Sequence, residues 1–293
     1  NLEIDYVIFG ICEDIGVYAN QGKTGTKKAW EATLNVLLNI QSNTFTKANR
    51  VLILGCLTYK EQQKITKLEP EKQTISKARS LVETIDNDVS YLVSNIIKAG
   101  KTPIIIGGGH NNAYGNIKGT ALANADKINV INFDAHTDLR AEEGRHSGNG
   151  FSYAFTEGFL ENYFVFGLHE NYTSDELFKS LNTNKYLKYN TYEALEIRNE
   201  LDFNTELEVA LNHVSDKKFG IEIDCDAIEN VKSSAMTPSG FGINDVRSFL
   251  NFFAKHDNTA YLHICEAIPS KKKPQQIGKL ITYLIIDFIN SKV

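Results

Sequence analysis

Residues 130–140 read Val-Ile-Asn-Phe-Asp-Ala-His-Thr-Asp-Leu-Arg, and the character of the sequence changes abruptly after residue 133. The first four residues are mostly apolar and branched or aromatic, which is typical of a buried strand. Asp134, His136 and Asp138 then occupy every second position. In open α/β sheets ligands bind beyond the carboxyl ends of the strands, so three potential metal ligands there indicate a binding site. The alternative is an ordinary polar turn.

The rest of the sequence alternates short apolar strands with helical patterns. The predicted strands are 5–10, 51–55, 103–107, 128–133, 163–167, 186–188, 218–224 and 259–266. The predicted helices are 27–41, 70–99, 111–123, 175–181, 191–214, 243–255 and 276–291. This alternation predicts parallel β-α-β units, and continuously apolar strands predict helices on both faces. We expect a three-layer α/β/α fold around a mainly parallel sheet of about eight strands.

Nothing in the sequence divides the chain into parts. The 293 residues include only 5 prolines, and we find no internal repeat and no Pro-, Ser- or Gly-rich linker. The polar or glycine-rich stretches 16–25, 107–109, 144–150 and 233–242 are interpreted as loops. We therefore predict a single domain over residues 1–293.

Composition excludes several classes of protein. The formal net charge is −5 without a long basic run, which argues against nucleic acid or an anionic membrane surface as the main partner. No apolar run reaches the roughly 18 residues of a membrane span, and we see no signal peptide. Cys12, Cys56, Cys225 and Cys265 are far apart in sequence and lack zinc-binding spacing. We expect reduced, buried thiols in a cytoplasmic protein.

Three further strand ends carry similar polar groups. His110 follows three glycines, which let the backbone approach a ligand. Asp224 and Asp226 are two apart and point to one face, and neighbouring carboxylates resist joint ionisation without a cation. Glu266 ends the last predicted strand, while Glu222 is left out of the ligand set because it lies earlier on its strand. Taken singly, each group also suits a cap, a packing role or simple solvent exposure.

Together these segments supply a set of candidate metal ligands: His110, Asp134, His136, Asp138, Asp224 and Asp226. The set is larger than a single catalytic zinc needs, since zinc usually takes about three protein ligands. A carboxylate-rich set suits a pair of Mn²⁺-like ions roughly 3.5–4 Å apart. We therefore predict two Mn²⁺-like ions per chain, and a hydroxide that bridges two such ions is a strong nucleophile near neutral pH.

In this order the residues resemble the ureohydrolase family, which includes arginases, agmatinases and formimidoylglutamases. The matching segments are Gly-Gly-Gly-His at 107–110, Asp-Ala-His-Thr-Asp at 134–138, Asp-Cys-Asp at 224–226 and the glutamate at 266. The glycine-rich stretch 10–25 also resembles the N-terminal loop of the family, so the likeness covers nearly the whole chain. The resemblance implies an arginase-like fold, a dinuclear manganese site and a homo-oligomer, either a trimer or a hexamer.

The resemblance also implies a role for each ligand. The first ion would be bound by His110 and Asp138, the second by His136 and Asp226, and both by the bridging Asp134 and Asp224. Asp138 would relay a proton to the leaving amine. Glu266 would hold the cationic nitrogen end of the substrate, because a carboxylate pairs well with an amidinium.

Within the family the sequence is most similar to formimidoylglutamases. Segments 138–140 and 147–151 match their Asp-Leu-Arg and Ser-Gly-x-x-Phe patterns. Arginases and agmatinases carry a catalytic histidine near the place of Phe151, so we treat His146 as a candidate proton shuttle instead. The alternative for His146 is a loop residue.

Arg140 is the main candidate for substrate recognition, since a planar guanidinium matches a carboxylate tail. Its alternative is a surface or structural ion pair. Ser147 and Asn149 are further candidates for binding the substrate. Lys23 and Arg145 are weaker candidates for binding that tail. His169 could line the pocket, although we expect a structural role for it.

The predicted reaction is hydrolysis of a linear amidine C–N bond, converting N-formimidoyl-L-glutamate and water into L-glutamate and formamide, a step of histidine degradation. One alternative is a ureohydrolase that releases urea from arginine, agmatine or a guanidino acid. A single-zinc deacetylase of similar fold and a non-catalytic metal-stabilised binding protein are the others.

Overall fold

The structure of the protein is a computed structural model, and it describes residues 3–291. A single sheet contains eight strands: β1 (Tyr6–Cys12), β2 (Val51–Thr58), β3 (Thr102–Ile106), β4 (Ile128–Phe133), β5 (Leu160–Leu168), β6 (Leu187–Thr191), β7 (Phe219–Asp224) and β8 (Thr259–Cys265). Their order is β2-β1-β3-β8-β7-β4-β5-β6, and every neighbouring pair is parallel.

The α-helices are α1 (Ile15–Ala19), α2 (Ala29–Leu37), α3 (Lys72–Lys98), α4 (Asn112–Asn124), α5 (Gly150–Thr156), α6 (Asp175–Thr183), α7 (Phe203–Val214), α8 (Ile243–Ala254) and α9 (Gln275–Ser291). The predicted three-layer α/β fold with a parallel eight-stranded sheet is therefore confirmed. The single domain predicted over residues 1–293 stays a prediction, since four terminal residues lie outside the described range. Between residues 3 and 291, none of the helices has the length and apolarity needed to cross a membrane.

Helices cover both faces of the sheet, as the apolar strands predict. On β3, Ile104 and Ile106 pack into one apolar layer with α2, α8 and α9, whereas Ile105 packs into the other with α3 and α4. All residues of β4, β7 and β8 are buried. Each such isoleucine or valine contributes roughly 1.5–3 kcal/mol by its burial, which fixes the centre of the sheet firmly.

The edge strand β2 differs from the central strands. Its residues alternate between half-buried and exposed, and Leu52 and Leu54 are 41% and 50% exposed. Cys56 on this strand is exposed and Cys12 on neighbouring β1 is only half-buried, so the expectation of four buried thiols is wrong for these two. Alternate side chains of the edge strand face outward, which exposes Cys56, whereas Cys12 is the last residue of β1. All four thiols are free.

The single helix predicted over 191–214 is also wrong. The segment holds the end of β6, a five-residue π-helical turn at Glu193–Ile197, and then α7. Asn199 has a φ of 51°, which no helix accommodates, and the Asp202 side chain caps α7 by accepting a hydrogen bond from the backbone N–H of Thr205. Two short helices, α1 and α5, lie in stretches that the sequence predicts as loops or leaves unassigned; every residue of α1 is buried, so it shows no apolar–polar period.

Candidate metal centre

The central strands β3, β8, β7 and β4 are neighbours, and their carboxyl ends meet at one edge. Asp134 directly follows β4, Asp224 is the last residue of β7, and Glu266 directly follows β8. His110 follows the glycine turn after β3. Four groups that are distant in sequence therefore share one rim of the sheet.

Three carboxylates converge on the His110 ring. Its Nδ1 lies 3.2 Å from Oδ2 of Asp134, 2.9 Å from Oδ2 of Asp138 and 3.0 Å from Oδ2 of Asp224. One potential ligand atom from each of the four residues lies within 4.8 Å of the others. This is the spacing of side chains that hold one cation between them.

His136 and Asp226 extend the cluster on the side of the cavity. Nδ1 of His136 lies 3.5 Å from Oδ1 of Asp134. The Asp226 carboxylate accepts hydrogen bonds from the Ser234 hydroxyl at 3.1 Å and from the backbone N–H of Ala235 at 3.0 Å. Both residues line the same cavity, so all six predicted ligands lie at one place.

Local hydrogen bonds explain why alternate residues reach this rim. The Asp134 carboxylate accepts from the backbone N–H of His136 at 2.8 Å, and the Asp224 carboxylate accepts from that of Asp226 at 2.7 Å. Such turns are typical of aspartate, whose short side chain bonds the backbone two residues on. The second side chain of each pair is thereby turned toward the same edge.

The buried carboxylates of the cluster repel one another, and a bound cation would stabilise their ionised forms. Burial, followed by the charges of Asp226 and Asp134, raises the pKa of Asp224 well above its usual range. Burial and the charges of Asp224 and Asp226 do the same to the pKa of Glu266. Burial lowers the pKa of His136, but the hydrogen bond to Asp134 and the carboxylate charges outweigh it and raise that pKa to about 10. A divalent cation would relieve this repulsion.

The donor atoms fit divalent manganese. Both ring nitrogens of His110 are buried without a hydrogen-bond partner among residues 3–291. Carboxylate oxygens outnumber imidazole nitrogens among these side chains. Such an oxygen-rich set suits Mn²⁺, whereas zinc sites are usually rich in nitrogen and sulfur. The residues present therefore fit the two ions that the sequence predicts.

Glu266 is hydrogen-bonded to the backbone of the glycine turn that carries His110. Oε1 of Glu266 accepts a hydrogen bond from the backbone N–H of His110 at 2.6 Å, while Oε2 has no partner in the described part of the chain. The preceding Gly108 has a φ of 76°, and a Cβ there would lie 2.3 Å from Nδ2 of Asn112. Glycine is required at this position because both the left-handed backbone and the contact exclude a side chain.

A cavity of about 300 Å³ opens over the cluster. Its lining includes Tyr172, Ser234 and Ala235, none of which the sequence singles out. The Tyr172 ring stacks on the candidate ligand His136, with 5.2 Å between ring centroids. The only sequence signal for Tyr172 is its place just after β5, because other strand ends carry site residues.

Arg140 and Ser147 lie at the mouth of this cavity. Arg140 is 57% exposed; its guanidinium donates to Oδ1 of Asn20 at 2.5 Å and lies 3.5 Å from Oε1 of Glu143. The Ser147 hydroxyl accepts from the amide of Asn20 at 3.1 Å. The structure therefore brings these two predicted substrate-binding residues together at the cavity.

Arg145, His146 and Asn149 lie inside the loop rather than on the cavity wall. Both polar ends of the Asn149 amide bond within the loop, to Arg145 and His146 on one side and to Ala141 and Gly144 on the other. The His146 ring is fully buried and accepts from the backbone N–H of Gly148 at 3.1 Å. Burial and nearby arginines lower its pKa to about 4.

Lys23, His169 and Phe151 lie outside the cavity lining. Lys23 is exposed. The His169 ring is stacked between Tyr172 and Tyr192, with centroid distances of 5.3 and 4.7 Å. Phe151 is fully buried, and its ring meets that of His110 edge-on at 5.1 Å, so it supports the cluster from below.

The fold is a three-layer α/β fold around a parallel sheet. A cluster of histidine and carboxylate side chains at the carboxyl edge of that sheet defines the class as an α/β protein with a candidate metal centre. Comparison with protein families makes this more specific. The chain belongs to the arginase family, whose model matches residues 4–289. The predicted relationship to ureohydrolases is thereby confirmed.

Relatives and solved structures agree with this membership. The chain is 27% identical over 287 residues to a formimidoylglutamase from Macrococcus caseolyticus, covering 96% of this chain and 83% of that protein. It is also 27% identical to a formimidoylglutamase from Streptococcus pyogenes, but the match spans 64% of this chain and 53% of that protein. A Trypanosoma cruzi formiminoglutamase with Mn²⁺ shares the fold, with a TM-score of 0.79, 18% identity, and 99% and 95% coverage of the two chains.

Proposed function

We propose that the protein is a Mn²⁺-dependent hydrolase of a linear amidine, converting N-formimidoyl-L-glutamate and water into L-glutamate and formamide. The observation that carries the proposal is the cluster of six candidate ligands beside a cavity that an exposed arginine also lines. The formimidoylglutamases among the relatives support this choice of substrate.

The ligands divide between two ions in this proposal. His110 and Asp138 would hold the first, His136 and Asp226 would hold the second, and Asp134 and Asp224 would contribute to both. When bound, such ions lower the pKa of water and stabilise negative charge on oxygen. The buried Asp134 and Asp224 carboxylates are fixed by hydrogen bonds to the backbone N–H groups of His136 and Asp226, so ion binding requires little rearrangement of the protein.

Two carboxylates act on the substrate. Glu266 lines the cavity and its Oε2 has no protein partner among the described residues, so it is available to accept a hydrogen bond from the amidinium. Asp138 also lines the cavity and carries a proton to the departing amine. His146 has less geometric support as a proton shuttle, because it is buried away from the cavity lining.

Arg140 binds the acidic tail of the substrate in this proposal. Among the described residues that line the cavity, Arg140 and His136 are the two with basic side chains. Two hydrogen bonds to a carboxylate would replace the contacts of Arg140 with Asn20 and Glu143. Ser147 lies beside it as a further donor, whereas the amide of Asn149 is already used within the loop.

We also propose, on the strength of the family resemblance, a homo-oligomer of three or six chains located in the cytoplasm. Size-exclusion chromatography with light scattering would measure the number of chains.

The identity of the product tests the reaction. Protein loaded with Mn²⁺ should release formamide from N-formimidoyl-L-glutamate and little urea from arginine, agmatine or guanidinobutyrate. Strong urea release without formamide would instead establish a ureohydrolase. Cleavage of an acetylated amine with one bound zinc would establish the deacetylase, and binding of Mn²⁺ without any turnover would establish the non-catalytic alternative.

A further inference from the structure

Glu222 is a fully buried residue of β7, two positions before the candidate ligand Asp224 and on the same face of the strand. In the register of the sheet it pairs with Asn132 on β4 and with His263 on β8. Since paired positions on parallel strands share a face, the three polar side chains form a row beneath the cluster. Burying a charge at this depth is costly unless it is paired, so the carboxylate must have partners nearby.

Two neighbours on β8 hold the Glu222 carboxylate in place. Nδ1 of His263 lies 2.5 Å from Oε2, and the Tyr261 hydroxyl donates to Oε1 at 2.8 Å. Gly220 makes the second contact possible, because a Cβ there would lie 2.2 Å from Cζ of the Tyr261 ring. On its other side, Nε2 of His263 lies 3.3 Å from the backbone oxygen of Gly107.

The third neighbour of Glu222 is the candidate ligand His110. While Nδ1 of His110 faces the three aspartates, its Nε2 points the other way and lies 3.6 Å from Oε2 of Glu222. Among residues 3–291 this nitrogen has no hydrogen-bond partner. A histidine that binds a metal through one nitrogen carries its proton on the other, and a carboxylate commonly accepts that proton.

We propose that Glu222 is a positioning residue of the metal centre: when Nδ1 of His110 holds an ion, the Glu222 carboxylate, now 3.6 Å from Nε2, would accept the Nε2–H and so keep Nδ1 directed at the ion. His263 holds Oε2, the oxygen that faces His110, while the Tyr261 hydroxyl bonds the other oxygen, Oε1. The proposal rests on the proposed function, because it requires that His110 bind an ion. It assigns a role to a residue that lies outside the six ligands.

Replacement of the carboxylate by an amide tests this role. We expect Glu222→Gln to weaken the binding of Mn²⁺ about 10–100-fold, the usual effect of removing the partner of a metal-bound histidine. The readout is the Mn²⁺ dissociation constant, measured by electron paramagnetic resonance of the free ion. In turnover, kcat should fall while KM for the substrate stays near its wild-type value, since Glu222 lies outside the cavity lining.

Tyr261→Phe is the matched control. It removes one hydrogen bond to the same carboxylate but leaves Oε2 beside His110, so Mn²⁺ binding should stay much closer to wild type. Wild-type Mn²⁺ affinity in Glu222→Gln, with only the thermal stability of the metal-free protein lowered, would reduce Glu222 to a buried ion pair and overturn the proposal.

A second measurement covers the case in which Glu222→Gln fails to fold. Nitrogen-15 magnetic resonance of the wild-type protein loaded with diamagnetic Zn²⁺ should show the His110 proton on Nε2. A proton on Nδ1 would contradict the proposal. Failure of the wild type to release formamide would refute the proposed reaction but would leave both of these readouts intact, so the two failures can be told apart.

Discussion

Arg140 distinguishes an acidic substrate tail from a neutral or basic one in the proposed function. Its exposure at the cavity mouth leaves the guanidinium able to exchange its present partners for a ligand. The family motifs predict the metal ligands from sequence, because aspartate and histidine at alternate positions after a buried strand suit a metal site better than a core or an ordinary turn. They do not fix what Arg140 contacts, since that depends on where Asn20 and Glu143 are brought by distant segments.

Arg140→Ala should lower kcat/KM for N-formimidoyl-L-glutamate about 10–100-fold, since a hydrogen bond to a charged group contributes roughly 1.5–3 kcal/mol. The loss should fall mainly on KM. Steady-state kinetics with a formimidoyl compound that lacks the tail carboxylates should show no comparable loss.

Arg79→Ala is the control for this variant. Arg79 also pairs with Glu143, at 3.0 Å, but it lies outside the cavity lining. An equal loss of kcat/KM in both variants, or an equal loss with and without the tail, would rule out Arg140 as the tail-binding residue.

At the level of elements, the loop between β4 and α5 depends on one buried ion pair. Nε of Arg145 lies 2.8 Å from Oδ2 of Asp86 on α3, and its Nη2 donates to the backbone oxygen of Asn111 at 2.9 Å, next to His110. From the sequence, Arg145 is a weaker candidate for binding the substrate tail. In the structure it joins α3, the turn at His110 and the loop that carries Ser147.

Arg145→Met should destabilise the metal-free protein by about 3–5 kcal/mol, because it leaves the Asp86 carboxylate buried without a partner. The midpoint of urea unfolding measures this. The double variant Asp86→Leu/Arg145→Met should regain much of the loss, since apolar replacement of a whole buried pair is often tolerated. If the single variant were as stable as wild type, the pair would not anchor the loop.

The strands and most helices could be predicted because their apolar patterns are continuous and local. The break within 191–214 could not be predicted, because the helical pattern of the sequence continues through it. In the structure, the left-handed backbone of Asn199 and the Asp202 cap interrupt the helix. The short helix α1 could not either, because it is buried on every side and shows no period. Tertiary packing determines these elements more than local sequence does.

At the scale of the whole molecule, the sequence predicts which residues gather at the candidate site, although it does not predict the order of the strands in the sheet. β3 and β4 are consecutive in the chain, yet β8 and β7 lie between them in the sheet. The predicted residues come together because the carboxyl ends of all parallel strands meet at the same edge, whatever their order. Glu222 is missed for a related reason: its contact with His110 depends on that order, which places β7 and β8 side by side between β3 and β4.

Titration of the metal-free protein with Mn²⁺ tests most directly whether the cluster is a two-ion hydrolytic centre. Bound ions and formamide release should be measured on the same samples, with Asp226→Ala as the variant that removes a proposed ligand of the second ion. We expect about two Mn²⁺ per wild-type chain, with release rising as the sites fill, and reduced occupancy without release in the variant. Full activity with a single bound ion, or unchanged occupancy and rate in Asp226→Ala, would contradict the assignment.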